Sequence, residues 1–265
     1  MKLVVFSDVH YLDRKYHGTR KLTDYCLPLL DELIDRINNE IKPDVCICLG
    51  DIIQDTLNHD DDIKNMKFIW KKLNEIEVPF YTCIGNHDLK MMKSRKEVEE
   101  ILGYDNANFS VDIEGYHLIL LSTEVRNELG HEHGGIFKTQ FMSEKDIEWL
   151  EKDVKKTSKP TILFTHYGLA EDDFKGNYWF EEDHDGALLK NRDAIKRIIR
   201  ENDNIIGVFT GHQHWSKQIL EDDVQYNIVG SLIENINDDG IPDGVYFEVD
   251  AIGNNIILKE NHIRL

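Results

Sequence analysis

The chain is poor in the residues that staple small folds or anchor membranes. Cysteine occurs four times in 265 residues, at Cys26, Cys46, Cys48 and Cys83, with no C-x-x-C pair. That spacing gives neither a zinc knuckle nor a disulfide framework, so buried reduced thiols are expected. No apolar run approaches the ~18 residues of a membrane span. The opening Met1-Lys-Leu-Val-Val-Phe-Ser-Asp8 is too short for a signal peptide and lacks a small-residue cleavage site. The expectation is a cytoplasmic protein. Basic charge is also scarce, with 31 Lys plus Arg against 50 Asp plus Glu, a net charge of −19. Such a surface repels phosphate backbones and anionic lipid. Neither nucleic acid nor membrane is therefore an expected partner. Repeats, low-complexity tracts and linkers are absent from the pattern, so residues 1–265 are read as one domain. No feature sets an oligomeric state.

What is present is a series of short apolar runs separated by amphipathic stretches. Leu3 to Ser7, Asp44 to Leu49, Pro79 to Ile84, Pro160 to Thr165 and Ile205 to Phe209 read as buried strands. The second is apolar on both faces, as in a parallel sheet covered by helices. Leu22 to Ile41 reads as an amphipathic helix stopped by Pro43, and Asp60 to Ile76 as a second, capped by one of Asp60, Asp61 and Asp62. Ser94 and Ser143 open capping-box patterns for helices to Leu102 and about Lys156. A further helix is expected from about Leu189 to Glu201. Asn108 to Ile113 and Tyr116 to Ser122 form an antiparallel pair joined at Glu114-Gly115. The tail, Ser216 to Ile263, is all strand-like.

The ends of five strands carry the same kind of residue. The first ends in Asp8 and His10, the second in Gly50-Asp51, the third in Gly85-Asn86-His87-Asp88, the fourth in His166 and the fifth in Gly211-His212-Gln-His214. In open α/β sheets, sites collect beyond the carboxyl ends of strands. On a strand, positions i and i+2 face the same way, so Asp8 and His10 are expected to aim at one point by strand alternation. All of these donors are oxygen or imidazole nitrogen. That suits Mn²⁺, Fe²⁺ or Zn²⁺ better than a structural thiolate site. Singly, each is as readily a turn or core residue; His131, His133 and His184 are read that way. Five at one point of a β-to-loop transition are not.

In this order the motifs D-x-H, G-D, G-N-H-D, strand-terminal H and G-H-x-H resemble the calcineurin-like metallophosphoesterases. The resemblance runs from position 8 to 214. It implies a four-layer α/β/β/α sandwich of two mixed β-sheets flanked by helices. It implies two divalent metal ions, one held by Asp8, His10, Asp51 and His214. The other would be held by Asp51, Asn86, His166 and His212, with Asp51 bridging. A hydroxide between such ions would attack phosphorus in line, and His87, beside ligand Asn86 but free, would be the general acid. Either Asp55 or Asp88 could orient His87. One departure is Tyr167-Gly168 after His166, where many relatives carry H-x-P, which leaves the adjoining loop open.

The spacing Gly50-Asp-Ile-Ile-Gln-Asp55 is similar to the bacterial class III cyclic-nucleotide phosphodiesterase branch. A small phosphoester, with a nucleotide as one option, is the implied partner, and diester cleavage is favoured over monoester cleavage. The aromatic stretch Phe174 to Phe180 could stack a nucleobase, although packing onto the body is the weightier reading. A non-catalytic scaffold of the same fold is disfavoured because every ligand position and His87 are filled. Hydrolysis of non-phosphorus bonds on the same metal pair stays open.

Overall fold

The computed structural model describes residues 1–14, 16, 18–125 and 140–265. Its strands are β1 (Lys2–Phe6), β2 (Val45–Cys48), β3 (Phe80–Thr82), β4 (Phe109–Ile113), β5 (Tyr116–Leu121), β6 (Thr161–Thr165), β7 (Ile205–Thr210), β8 (Lys217–Glu221), β9 (Val224–Ile228), β10 (Val245–Ile252) and β11 (Asn255–His262). Its α-helices are α1 (Cys26–Asp35), α2 (His59–Leu73), α3 (Asn86–Leu89), α4 (Arg95–Leu102), α5 (Glu144–Val154), α6 (His184–Ala187) and α7 (Arg192–Arg200). One sheet has the order β11-β10-β1-β2-β3 and the other β4-β5-β6-β7-β9-β8. In the first, β1, β2 and β3 run parallel, while β10 and β11 are antiparallel. In the second, β5, β6, β7 and β9 run parallel, and β4 and β8 are antiparallel edges.

Strand alternation explains the layering. Leu3 and Val5 of β1, with Ile47 of β2, share a buried cluster with Leu118, Leu120, Ile162 and Phe164 of the other sheet. Val4 and Phe6 point the opposite way, into Leu29, Leu30 and Leu33 of α1 and Met66 and Ile69 of α2. In the second sheet, Ile119, Leu121 and Leu163 turn to Leu150 of α5 and to Ile195, Ile198 and Ile199 of α7. Side chains of period two therefore give a core between the sheets and a second core under each helical layer. The result is the expected α/β/β/α sandwich. Burying each Leu or Ile is worth about 1.5–3 kcal/mol, so Leu33→Ala would loosen α1 from its sheet.

Local differences from the sequence reading have physical causes. The first helical stretch splits into a short 3₁₀ turn at Thr23–Tyr25, α1, and a wide π turn over Arg36–Ile41. It stops at Lys42, which is left-handed and returns its N–H to Ile37 O; Pro43 follows. Helix α2 is capped by Asn58, whose side chain accepts from Asp60 and Asp61 N–H. The three aspartates instead occupy the first turn, where acidic charge complements the helix N-terminus. Ser143 does cap α5, but Ser94 makes no side-chain cap; Glu97 instead accepts from Lys93 N–H. Helix α7 begins at Arg192 rather than Leu189. Glu114 and Gly115 both have positive φ, the backbone of a tight hairpin turn. The four cysteines are buried and unpaired. No helix among the described residues is long and apolar enough to cross a membrane. Most of 123–142, with His131, His133 and Gly134-Gly135, lies outside the described residues; His184 sits exposed at the start of α6.

Candidate metal centre

Parallel strands in both sheets bring their carboxyl ends to one place. Beyond β1 the chain leaves the strand at once, because Asp8 and His10 have φ of 54° and 47°. Strand alternation is thus not what aligns them, contrary to the sequence reading. Asp51, His212 and His214 are left-handed as well, at 51°, 68° and 57°. Five of the singled-out residues therefore occupy a conformation that costs about 1 kcal/mol or more apiece for a side chain with a Cβ. Hydrogen bonds hold them there. Asp8 N–H donates to Gly50 O at 3.1 Å and His10 N–H to Asp51 O at 2.9 Å. His212 N–H donates to Asp8 Oδ2 at 3.0 Å.

The glycines of the motifs allow this approach. A Cβ on Gly211 would lie 2.0 Å from Ser7 Oγ, and one on Gly85 would lie 2.2 Å from Asp51 Oδ1. Gly50 has φ of 100°, and a Cβ there would meet Gly85 N at 2.7 Å. Gly168, at the position where relatives carry proline, also has a reason. Its N–H donates to Ala187 O at 3.3 Å, and a Cβ would run into the Gln213 amide. Proline lacks that donor.

The side chains converge as two joined donor sets. Asp8 Oδ1 lies 3.2 Å from His214 Nε2 and 3.6 Å from His10 Nε2, and the two imidazole nitrogens are 3.0 Å apart. On the other side, His166 Nε2 is 3.0 Å from Asn86 Oδ1 and 3.4 Å from Asp51 Oδ2. Asp51 Oδ2 is also 3.8 Å from His10 Nε2, so it reaches both sets. Asp51, His166 and His212 make one compact group, and Asp8, His10 and His214 another. His87 overlaps both, with Nε2 at 4.0 Å from Asp51 Oδ2. Every residue of these sets other than His87 is buried.

These spacings fit cations. Bonds of about 2.1 Å separate neighbouring donors by roughly 3.0–3.4 Å. Among the described residues, buried Asp8 Oδ1 accepts no hydrogen bond and His10 Nδ1 has no partner. An unpaired buried carboxylate oxygen is costly unless a cation faces it. The protons tell the same story. Burial opposes charge on His166, yet Asp51 outweighs it and pushes the imidazole up to about 9. Burial, helped by the His166 charge, drives His212 down to about 3. Metal binding displaces such protons, so affinity at this site rises with pH.

Supporting contacts fix the rings. His166 Nδ1 donates to Leu49 O at 2.9 Å, and His214 Nδ1 to Glu234 Oε2 at 2.7 Å. Carboxylate and carbonyl partners of this kind set the tautomer of ligating histidines. Asp55, not Asp88, holds His87 Nδ1. Asp88 instead accepts from Gly85 and Ile53 N–H, at 2.9 and 3.2 Å, and so shapes the turn. Glu234 and Lys21 escaped the sequence reading. Glu234 directly follows the apolar Leu232-Ile233, a weak sign that it turns inward, whereas nothing local marks Lys21.

A cavity of about 280 Å³ opens over this centre, walled by Lys21, Gln54, His87, Trp179 and Phe180. The Phe180 ring sits 5.0 Å from that of His212, and Trp179 5.8 Å from that of His214. Phe174 is fully buried against Ala187 and Leu188. The aromatic stretch thus both packs its own loop and lines the cavity.

Comparison with known proteins agrees with this construction. The family model for calcineurin-like phosphoesterases matches residues 1–216. A probable glycerophosphodiester phosphodiesterase of Arcobacter nitrofigilis is 25% identical over 234 residues, covering 83% of this chain and 76% of that one. A probable cyclic nucleotide phosphodiesterase of Xenorhabdus bovienii is 23% identical over 218 residues, covering 81% and 78%. In three dimensions, a dimetal phosphatase of Danio rerio superposes with a TM-score of 0.76 at 16% identity, over 98% of this chain and 95% of that one. With a fold shared at that level and a family model spanning most of its length, the chain belongs to the calcineurin-like phosphoesterase family.

Proposed function

We propose that the protein is a phosphodiesterase in which Asp8, His10, Asp51 and His214 hold one divalent metal and Asp51, Asn86, His166 and His212 a second. The observation that carries this is Asp51 Oδ2, within 3.8 Å of an imidazole nitrogen from each donor set. Mn²⁺ or iron suits the mixed oxygen and nitrogen donors, with Zn²⁺ also compatible. When bound, such a pair supplies Lewis-acid polarisation and nucleophile activation.

The chain's own residues do the rest. Asp55 is kept ionised: burial opposes its charge, but His87 and then Lys90 hold it down to about 2. Its carboxylate takes the Nδ1 proton of His87 in a hydrogen bond and directs Nε2 to the cavity. Burial first, and the Lys21 ammonium second, lower the His87 pKa, which makes it readier to release a proton. In its imidazolium form, with Nδ1–H held by Asp55, His87 carries its second proton on Nε2; as the P–O bond breaks it passes that proton to the departing oxygen and ends neutral, the role of a general acid. Trp179 and Phe180 wall the cavity beside this site. Diester cleavage is preferred here because both relatives named above carry phosphodiesterase descriptions.

The test is hydrolysis of bis-p-nitrophenyl phosphate beside p-nitrophenyl phosphate. The protein is stripped of metal and then given Mn²⁺, Fe²⁺, Zn²⁺ or Mg²⁺ in turn. Metal-restored cleavage of the diester, weak on the monoester, supports the proposal. Preference for the monoester turns it into a phosphomonoesterase, and metal binding without cleavage of either ester turns it into a scaffold.

A further inference from the structure

Lys21 stands beside His87 in the wall of the cavity. It is buried, at 5% exposure, in a chain whose lysines are otherwise mostly solvated. Its backbone is pinned by a bridge to Glu234, and the next residue, Leu22, donates its N–H to Ile233 O at 3.0 Å. The side chain then runs inward beside the Trp179 ring, with Nζ 5.4 Å from the ring centre. Two acceptors meet the ammonium, Gln54 Oε1 at 3.2 Å and His87 Nε2 at 3.0 Å. No carboxylate among the described residues lies within ion-pair distance of it. Other cations around the site are paired: Lys90 with Asp55 at 3.2 Å, and Arg20 with Glu234 at 3.3 Å.

A buried ammonium is costly unless it is paired with opposite charge. It has three N–H donors, and among the described residues two acceptors meet it, Gln54 Oε1 and Nε2 of the neutral His87 ring. Lys21 itself lines the cavity. The nitrogen that the proposed mechanism assigns to the departing oxygen, His87 Nε2, lies within hydrogen-bonding distance of Lys21. A substrate seated against His87 therefore comes within reach of the ammonium.

We infer that Lys21 is a substrate-binding residue that pairs with an anionic phosphoryl oxygen. The inference rests on the phosphoesterase reading above. The oxygen has two possible sources, the reacting phosphoryl group or a second phosphate on the leaving group, and the experiment separates them.

The test uses metal-loaded wild type and Lys21→Met, with Lys21→Gln as a second variant should the first fail to fold. Elemental analysis and thermal unfolding establish that metal and fold are retained. Binding of inorganic phosphate is measured by calorimetry, and KM and kcat are measured on bis-p-nitrophenyl phosphate and on UDP-glucose. Loss of a charged hydrogen bond predicts that phosphate binds about 10- to 100-fold more weakly. KM should rise by a similar factor, with kcat changed less. A rise in KM on both substrates places Lys21 on the reacting phosphoryl group; a rise confined to UDP-glucose places it on a second phosphate. A residue that merely offsets the charge of Asp8, Asp51 and Asp55 would leave phosphate affinity and KM unchanged, and that result overturns the inference. The phosphate measurement needs no turnover. If wild type binds phosphate through Lys21 but cleaves neither ester, the phosphodiesterase reading falls and this one stands.

Discussion

Asp55 and His87 are joined through a carboxylate oxygen and Nδ1, across 32 positions of sequence. That single bond turns Nε2 of His87 toward the cavity and leaves Asp88, its neighbour in sequence, to the backbone of the turn. The proposed role of the histidine follows from the orientation this gives Nε2, which faces the cavity beside the Lys21 ammonium.

Replacing Asp55 by Asn should therefore act on the leaving group. Metal content should hold, because Asp55 lies outside both donor sets. Turnover of a diester with a poorly acidic alcohol should fall about tenfold or more, as weakened general-acid catalysis requires. A p-nitrophenyl ester, whose leaving group needs no proton, should be hydrolysed at nearly the parent rate. Equal losses on both esters would show that Asp55 serves the site in another way.

Glu234 predicts a different signature. Its carboxylate holds His214 Nδ1 at 2.7 Å and is itself buried. Outer carboxylates of this kind typically contribute 10- to 100-fold in metal affinity. Glu234→Gln should weaken metal binding by about that factor in competition with a chelator, while saturating metal should restore most activity. Unaltered affinity would remove Glu234 from the support of the centre.

Gly211→Ala tests the close approach of chain to ligand. The new Cβ would sit 2.0 Å from Ser7 Oγ and 2.8 Å from Asp8 Oδ2. Overpacking of a tight interior costs about 1–3 kcal/mol. Urea denaturation should show a loss in that range, accompanied by lower metal content, since Asp8 has to move. Normal stability and full metal loading would mean that the strand ends are softer than their packing implies.

Acid stability should report on Asp146, which belongs to neither donor set. Its Oδ2 meets Arg95 Nη1 at 3.0 Å and also accepts from the Ser143 hydroxyl. Burial alone would raise its pKa, but Ser143 and Arg95 outweigh burial and hold the carboxyl below the usual range. A group depressed in the folded state stabilises it fully above the ordinary carboxylate pKa of about 3.9 and loses that effect as pH falls through the lower folded value. Asp146→Asn should thus cost about 1–3 kcal/mol at pH 7. The difference from the parent should shrink toward pH 3 in chemical denaturation. A gap that stays constant with pH would assign the cost to packing rather than charge.

What the sequence by itself determined was local. Apolar runs of four to six residues announced the strands, and the polar residues placed just after them nominated Asp8, His10, Asp51, Asn86, His166, His212 and His214, which the fold brings together as candidate donors. These signals survive because strand period and strand end are properties of a few consecutive residues. Tertiary structure decided everything that depends on distant partners. The convergence of Asp8 with His10 comes from left-handed backbone held by Gly50, Asp51 and His212, not from alternation along a strand. The choice of Asp55 over Asp88 and the support of His214 by Glu234 are likewise contacts between separate loops. So is the inward turn of Lys21 onto His87, across 66 positions. The cap of the second helix moved by a few residues for the same reason on a smaller scale, as Asn58 reached two free N–H groups that the aspartates could not cap from within the first turn. A pattern of residue types can nominate a donor, but only packing decides which atom of it is left without a partner.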